Sequence, residues 1–231
     1  MELADALRTT GSVRQFTNRS VDDDVLYEVL DDARFAPSGG NRQAWRVIVV
    51  RDTATRRAVR DLYLDAWHDY VAHLLAGLVP FSPLASDEER RVAAAQRPAA
   101  IEHSRPDGFA ETLDTVPVML VVCADLAAFA ATDLQLERYS MVGGASLYPF
   151  VWSILLAAHD RGLGGVMTTV ATRHEVEMQK TLAIPAGFAV ASVVLLGYPI
   201  KVATRLTRRL VEEFTSVDSF DGDLFLRATP D

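Results

Sequence analysis

The run Val116 to Cys123 contains no polar side chain and is rich in β-branched residues. A strand that alternates apolar and polar residues can leave one face in water, but one that is apolar at every position has to be covered on both faces. The chain must therefore place helices on either side of the sheet that holds this strand. The rest of the pattern agrees: helices and strands intermix along one unit without a linker or repeat, which predicts an α+β domain spanning residues 1–231, with a sheet sandwiched between helices.

The flanking elements read as follows. Glu2 to Thr9 is a short helix ended by Gly11, and Ser20 or Asp22 caps a second helix carrying Val25, Leu26, Val29, Leu30 and Ala33. Pro37-Ser38-Gly39-Gly40-Asn41 stops it, and Arg46 to Val50 is a strand. A long helical pattern runs from about Thr53 to Leu78, with Leu62, Trp67, Tyr70, Val71 and Leu74 as apolar positions; Tyr63, Trp67, Tyr70 and Phe81 are aromatics that serve the core or line a substrate. From 79 to 109 Pro80, Pro83, Pro98 and Pro106 break the pattern, apart from one charged helical excursion at Asp87 to Gln96. Such a stretch is a functional lid or disordered.

Tyr139 to Ala158 carries no charge. Its glycines, serines and Pro149, and the lack of a second span, favour a buried central helix over a membrane span. Gly162 caps it, Gly164 to Thr168 is a strand, Arg173 to Leu182 a helix, and Ala189 to Gly197 a strand. The tail from Arg208 to Asp231 is too apolar at Leu210, Val211, Phe214, Phe220, Leu224 and Phe225 to be left in water, and a partner subunit is a good candidate to cover it.

Composition narrows the function. An apolar share of 49% is ample for a core without disulfides, and the one cysteine, Cys123, reads as a buried small hydrophobe. Residues 1–20 lack the continuous apolar stretch of a signal peptide, so a cytoplasmic protein is expected. A net charge of -8 argues against a nucleic-acid surface. With only two lysines, Lys180 and Lys201, phosphate contacts are expected to rest mainly on arginines. The five histidines show no metal spacing, and no catalytic triad can be assembled.

Three segments carry chemistry. In Gly11-Ser12-Val13-Arg14 a hydroxyl, backbone amides and a guanidinium can converge on a phosphate, although a capping serine and a solvated cation account for the same residues. Ala36 to Trp45 leads through Pro37, Ser38, Gly39 and Asn41 straight into a strand; its small residues let the backbone approach a flat ligand, and an ordinary glycine-rich turn is the plainer alternative. Gly162 to Thr169 offers backbone amides to the polar edge of a ring, or is simply a glycine-capped helix entering the core.

Ser12-Val13-Arg14-Gln15-Phe16, Ala36-Pro37-Ser38 through Trp45, Gly162-Leu163-Gly164 through Thr169, and Leu196-Gly197-Tyr198-Pro199 followed by Arg208 resemble, in this order and spacing, the nitroreductase family of FMN enzymes. The match runs from about Glu2 to Glu213. The resemblance implies a three-layer α/β/α sandwich with a mostly antiparallel central sheet. It also implies an obligate homodimer with an exchanged C-terminal tail and FMN at the subunit interface. By it, Thr10, Gly11, Ser12 and Arg14 surround the phosphate together with Arg208. Pro37, Ser38, Gly39 and Asn41 reach in from the other subunit. Met167, Thr168 and Thr169 border the flavin ring, with a backbone amide at or beside Thr169 facing N5.

The implied activity is a ping-pong transfer of hydride from NAD(P)H through the flavin to a small electron-poor acceptor, with no side chain required as acid or base. Alternatives within reach of the same motifs are a flavin-dependent dehydrogenase or oxidase, a reductive dehalogenase, and a flavin-binding protein without catalysis. The sequence departs from the family at three places: Thr10 and Gly11 stand where two basic residues are usual, Ala44 where proline is usual, and Trp152-Ser153 where Gln-Asn is common. A weaker flavin site or a shifted pocket follows from these departures.

Overall fold

The computed structural model describes residues 1–202 and 204–228. Four strands form one antiparallel sheet in the order β1-β2-β4-β3: β1 (Trp45–Val49), β2 (Val118–Asp125), β3 (Gly164–Thr168) and β4 (Phe188–Gly197). The continuously apolar β2 and β4 are the two inner strands. Along β2, Val118, Leu120, Val122 and Ala124 enter one buried cluster, while Met119, Val121 and Cys123 enter a second on the other face. A β-bulge opposite Val122 and Cys123 inserts Ala191 into β4.

The first cluster is closed by α2 (Asp23–Ala33) and α6 (Tyr148–Asp160), through Leu26, Val29, Phe150, Val151 and Ile154. Trp45 of β1 stacks on Phe150 of α6, ring centroids 4.5 Å apart. The second cluster is closed by α3 (Thr53–Leu75) and α7 (Glu175–Thr181), through Val59, Tyr63 and Met178. Burying a Val, Leu or Ile side chain is worth about 1.5–3 kcal/mol, so both faces of the sheet contribute to stability.

Several boundaries differ from those expected. Helix α3 stops at Leu75 instead of Leu78 because Gly77 takes φ +71, and the amides of Gly77 and Leu78 bond back to Leu74 and His73, a Schellman closure. The uncharged run is α-helical only from Tyr148, with a short 3-10 turn at Val142–Ser146 ahead of it. Before it, the carboxylate of Asp133 accepts the amides of Met141 (2.8 Å) and Val142 (3.3 Å), the Ser140 hydroxyl (2.9 Å) and the Arg138 guanidinium (2.8 Å), which holds the chain in a loop. These bonds keep the Asp133 carboxyl well below the usual carboxylate range. Nor is α6 buried all round, for Tyr148 and Trp152 are exposed.

Residues 79–109 are folded. Helix α4 (Asp87–Ala95) starts with a capping box, Ser86 Oγ accepting from the Glu89 amide and the Glu89 carboxylate from the Ser86 amide. Helix α5 (Arg97–Glu102) begins with Pro98 in its first turn, where a proline lacks no needed donor. Arg97 ties α5 to Asp65 and Asp69 of α3.

The short helix α1 (Leu3–Thr9) precedes an extended segment that crosses the end of β3. The tail carries a short 3-10 turn, Val211–Glu213, and leaves Phe214, Phe220, Leu224 and Phe225 exposed. Positions 229–231 of the expected tail lie outside the described residues. Among the described residues, no helix is long and apolar enough to cross a membrane.

Candidate functional site

Helix α1 ends because Thr10 turns to an extended conformation while its amide still bonds Ala6. The next residues behave as a short strand. Ser12 bridges Gly165, the Val13 amide donates to the Gly165 carbonyl (2.9 Å), the Ile200 amide to Gln15 (3.1 Å) and the Thr17 amide to Tyr198 (2.8 Å). Side chains alternate along an extended segment. Val13 therefore turns onto Gly164 of β3, and Ser12 and Arg14 are left exposed on either side of it.

This strand forms one wall of a cleft of about 500 Å³. Thr10, Gly11, Ser12 and Arg14 line it, as do Gly164 and Gly165 at the start of β3, His159 at the end of α6, Arg105, Asp107 and Phe109 after α5, and Lys201 beyond β4. Two features mark it as built for a polar guest. The Thr10 hydroxyl is buried without a hydrogen-bond partner, a costly arrangement unless something else supplies one. The cleft also gathers three cations, Arg14, Arg105 and Lys201, against the single carboxylate of Asp107.

Thr9 defines the state of His159. Its hydroxyl donates its one proton to the Asp5 carbonyl (2.6 Å), so it accepts from His159 Nε2 (2.9 Å), which fixes the proton on that nitrogen.

The remaining sequence-predicted residues lie elsewhere on the chain. Met167 and Thr168 continue β3 away from Gly165 and Thr169 follows its end, with Thr168 roughly 10 Å further along at strand rise, and Met167 is exposed. Tyr63 sits close by in the core. Burial pushes its hydroxyl up, while the Thr168 hydroxyl and the Arg14 guanidinium act in the opposite direction. Tyr63 is thus a core residue that packs edge-on to Phe109, whereas Trp67, Tyr70 and Phe81 are half-buried.

Pro37, Ser38, Gly39 and Asn41 form an exposed loop outside the cleft. Gly40, Asn41 and Gln43 all have positive φ (61°, 52° and 50°). The loop is held by Ser146 Oγ accepting the Gly39 amide and Ser38 Oγ accepting the Gln43 amide, both 3.0 Å. Left-handed backbone at a glutamine costs energy and persists only where its surroundings enforce it, which is common at binding sites. Arg208 is not brought to the cleft: it is exposed, and its guanidinium donates to the Thr207 carbonyl (2.7 Å).

Lys201, Arg105 and His159 are cleft residues that sequence reasoning passed over. Lys201 carried a signal, being one of two lysines and just past Gly197-Tyr198-Pro199. Arg105 lies among prolines and His159 at the end of an apolar helix, and neither position marks a site. Among the described residues there is no group of three His, Cys, Asp or Glu able to hold a metal ion.

The fold is an antiparallel sheet clad by helices, with a cleft lined by three cations and one carboxylate where the N-terminal strip meets β3. Comparison with known proteins then gives its family: residues 7–198 match the model of the nitroreductase family, and the chain belongs to that family. It is 29% identical over 188 residues to an NADH dehydrogenase of Thermus thermophilus, covering 81% of this chain and 82% of that one. It is 28% identical over 197 residues to 5,6-dimethylbenzimidazole synthase of Rhodospirillum rubrum, covering 81% and 77%. Its fold matches an iodotyrosine deiodinase structure bound to FMN and 3-iodo-L-tyrosine, with TM-score 0.64, 19% identity and coverage of 95% and 100%.

Proposed function

We propose that this chain is an FMN-dependent oxidoreductase, working as a homodimer, that passes hydride from NADH or NADPH to a small electron-poor acceptor. The observation that carries the reading is the cleft: a buried, unpartnered Thr10 hydroxyl stands beside Ser12, Arg14 and the small residues Gly11, Gly164 and Gly165. Hydroxyl and guanidinium donors over a close-packed glycine backbone suit a phosphate dianion, because charge-assisted donors bind it most strongly. The residues present therefore fit the phosphate end of FMN, and the FMN-bound deiodinase supports the same cofactor.

When bound, FMN supplies the centre that accepts and returns two electrons. The chain's own residues bind and orient it. Thr10, Gly11, Ser12 and Arg14 hold the phosphate, and Met167, Thr168 and Thr169, further along the same strand and just past its end, border the ring. Pro37, Ser38, Gly39 and Asn41 lie outside the cleft of their own chain and enter from the second subunit. The exposed apolar tail covers that subunit, and Arg208 joins the site only when the tail moves with it. Segment 79–109 limits access as a lid, through Arg105 to Phe109.

The test is to add FMN to the purified protein, remove free flavin, and mix with NADH or NADPH without air. Loss of the yellow flavin band is the expected result. A band that persists with both donors refutes hydride transfer from nicotinamide and leaves the oxidative alternative. Failure to retain flavin refutes the cofactor assignment itself.

A further inference from the structure

We infer that Lys201 is the second cation of the phosphate site, completing with Arg14 the charge that the N-terminal strip alone leaves short. The inference rests on the FMN reading above and concerns this chain's own residues. A phosphate monoester carries about −1.5 to −2 charges at neutral pH. The strip from Thr9 to Val13 contributes hydroxyls and amides but no positive charge, so Arg14 supplies only one. Three cations line the cleft, and of these Arg105 alone, among the described residues, has a carboxylate beside it, Asp107 at 3.9 Å, which partly offsets its charge. Among the described residues, neither Arg14 nor Lys201 takes part in an ion pair.

The backbone explains how Lys201 arrives there. The Ile200 amide bonds the Gln15 carbonyl (3.1 Å), and Phe16 bridges Pro199. Residues 199–201 are thereby fastened to the same strip that presents Ser12 and Arg14. Thr10, 7% exposed as a residue, keeps its hydroxyl buried and unpartnered directly behind this wall of the cleft, next to the exposed Ser12 and Arg14. Arg208, by contrast, bonds its own backbone outside it.

The experiment separates phosphate from ring by titrating FMN and riboflavin into wild type, Lys201→Ala, Lys201→Arg, Arg208→Ala and Lys180→Ala, with flavin fluorescence as the readout. Losing one charge-assisted contact to the phosphate should weaken FMN binding by about 10- to 100-fold in Lys201→Ala while leaving riboflavin binding within about twofold. Lys201→Arg should keep most of the affinity, and Lys180→Ala, on α7, all of it. Lys201→Ala should also lower the salt sensitivity of FMN binding, because one fewer charge is screened. If wild type prefers FMN to riboflavin and Lys201→Ala binds FMN equally well, the assignment of Lys201 is wrong and the flavin reading stands. A loss in Arg208→Ala alone moves the second cation to the tail. If wild type binds no FMN, both readings fall together.

Discussion

The contact between Val13 and Gly164 sets the position of the proposed phosphate site, and a single methyl group tests it. A Cβ built on Gly164 would sit 2.7 Å from Val13 Cγ2, 2.9 Å from its Cβ and 3.0 Å from Cγ1. Valine is stiff about χ1, so it cannot turn away from all three contacts. The strip carrying Ser12 and Arg14 has to lift off β3 instead. Overpacking of this kind costs about 1–3 kcal/mol, partly offset by about 0.4–1 kcal/mol from the stiffer unfolded chain.

Gly164→Ala should therefore lose about 1–2 kcal/mol net, a factor of roughly 5 to 30 in the folded-to-unfolded ratio. Val13→Ala removes two half-buried methyls and should cost about 1 kcal/mol. Combined, it clears the closest contact and the one at 3.0 Å, so the double variant should be about 1 kcal/mol more stable than the sum of the two losses predicts. Urea unfolding of the four proteins gives the cycle. FMN titration should show weaker binding in Gly164→Ala and partial recovery in the pair. Additive losses to within about 0.5 kcal/mol, with unchanged FMN affinity, would show that the strip does not rest on Gly164 as described.

Asp133 makes the loop before α6 sensitive to acid. Its folded pKa is depressed by the Met141 amide, Arg138, Ser140 and the Val142 amide, so its contribution is complete above the ordinary carboxylate pKa of about 4 and is lost as pH falls through the lower folded value. Asp133→Asn should be less stable at pH 7, and its urea midpoint should fall less than wild type's between pH 5 and the acid limb; parallel curves would contradict the assignment. Cys123 is buried, and desolvation, with a smaller push from Glu175, raises its thiol to about 11. At pH 8 roughly one molecule in a thousand is a thiolate, so Ellman's reagent should leave the native protein unmodified and react only as urea opens it. Fast labelling without urea would place the thiol outside the core.

The inner strands were legible because covering both faces leaves an unmistakable mark: β2 and β4 are apolar at nearly every position, and β3 matched its expected bounds. Helix α4 was legible from its charged start, whereas its Ser86 cap was not. Other features depend on partners distant in sequence. The start of α6 is decided by Asp133, whose bonds to residues 140–142 hold off the helix. Helix α5 was hidden by Pro98, a breaker in mid-helix and harmless in a first turn.

The cleft divides the same way. Ser12 and Arg14 could be read locally, since alternation around Val13 presents both. Lys201 and His159 are assembled by the fold. No local pattern predicts that residues 199–201 run beside residues 15–17. Arg208 shows the converse, a residue prominent in the motif that the folded chain leaves outside the cleft.

The strip from Ser12 to Thr17 has a second consequence. Strand β3 is the last in its sheet, and an edge with unpaired amides and carbonyls invites other chains to add to it. By pairing with Gly165, the strip covers the first part of that border, so the residues proposed to grip a cofactor also act there as a guard against unwanted strand addition. Substitutions that loosen the strip should thus raise the tendency to aggregate as well as weaken binding. A bound phosphate, by holding the strip down, would protect the protein from its own sheet.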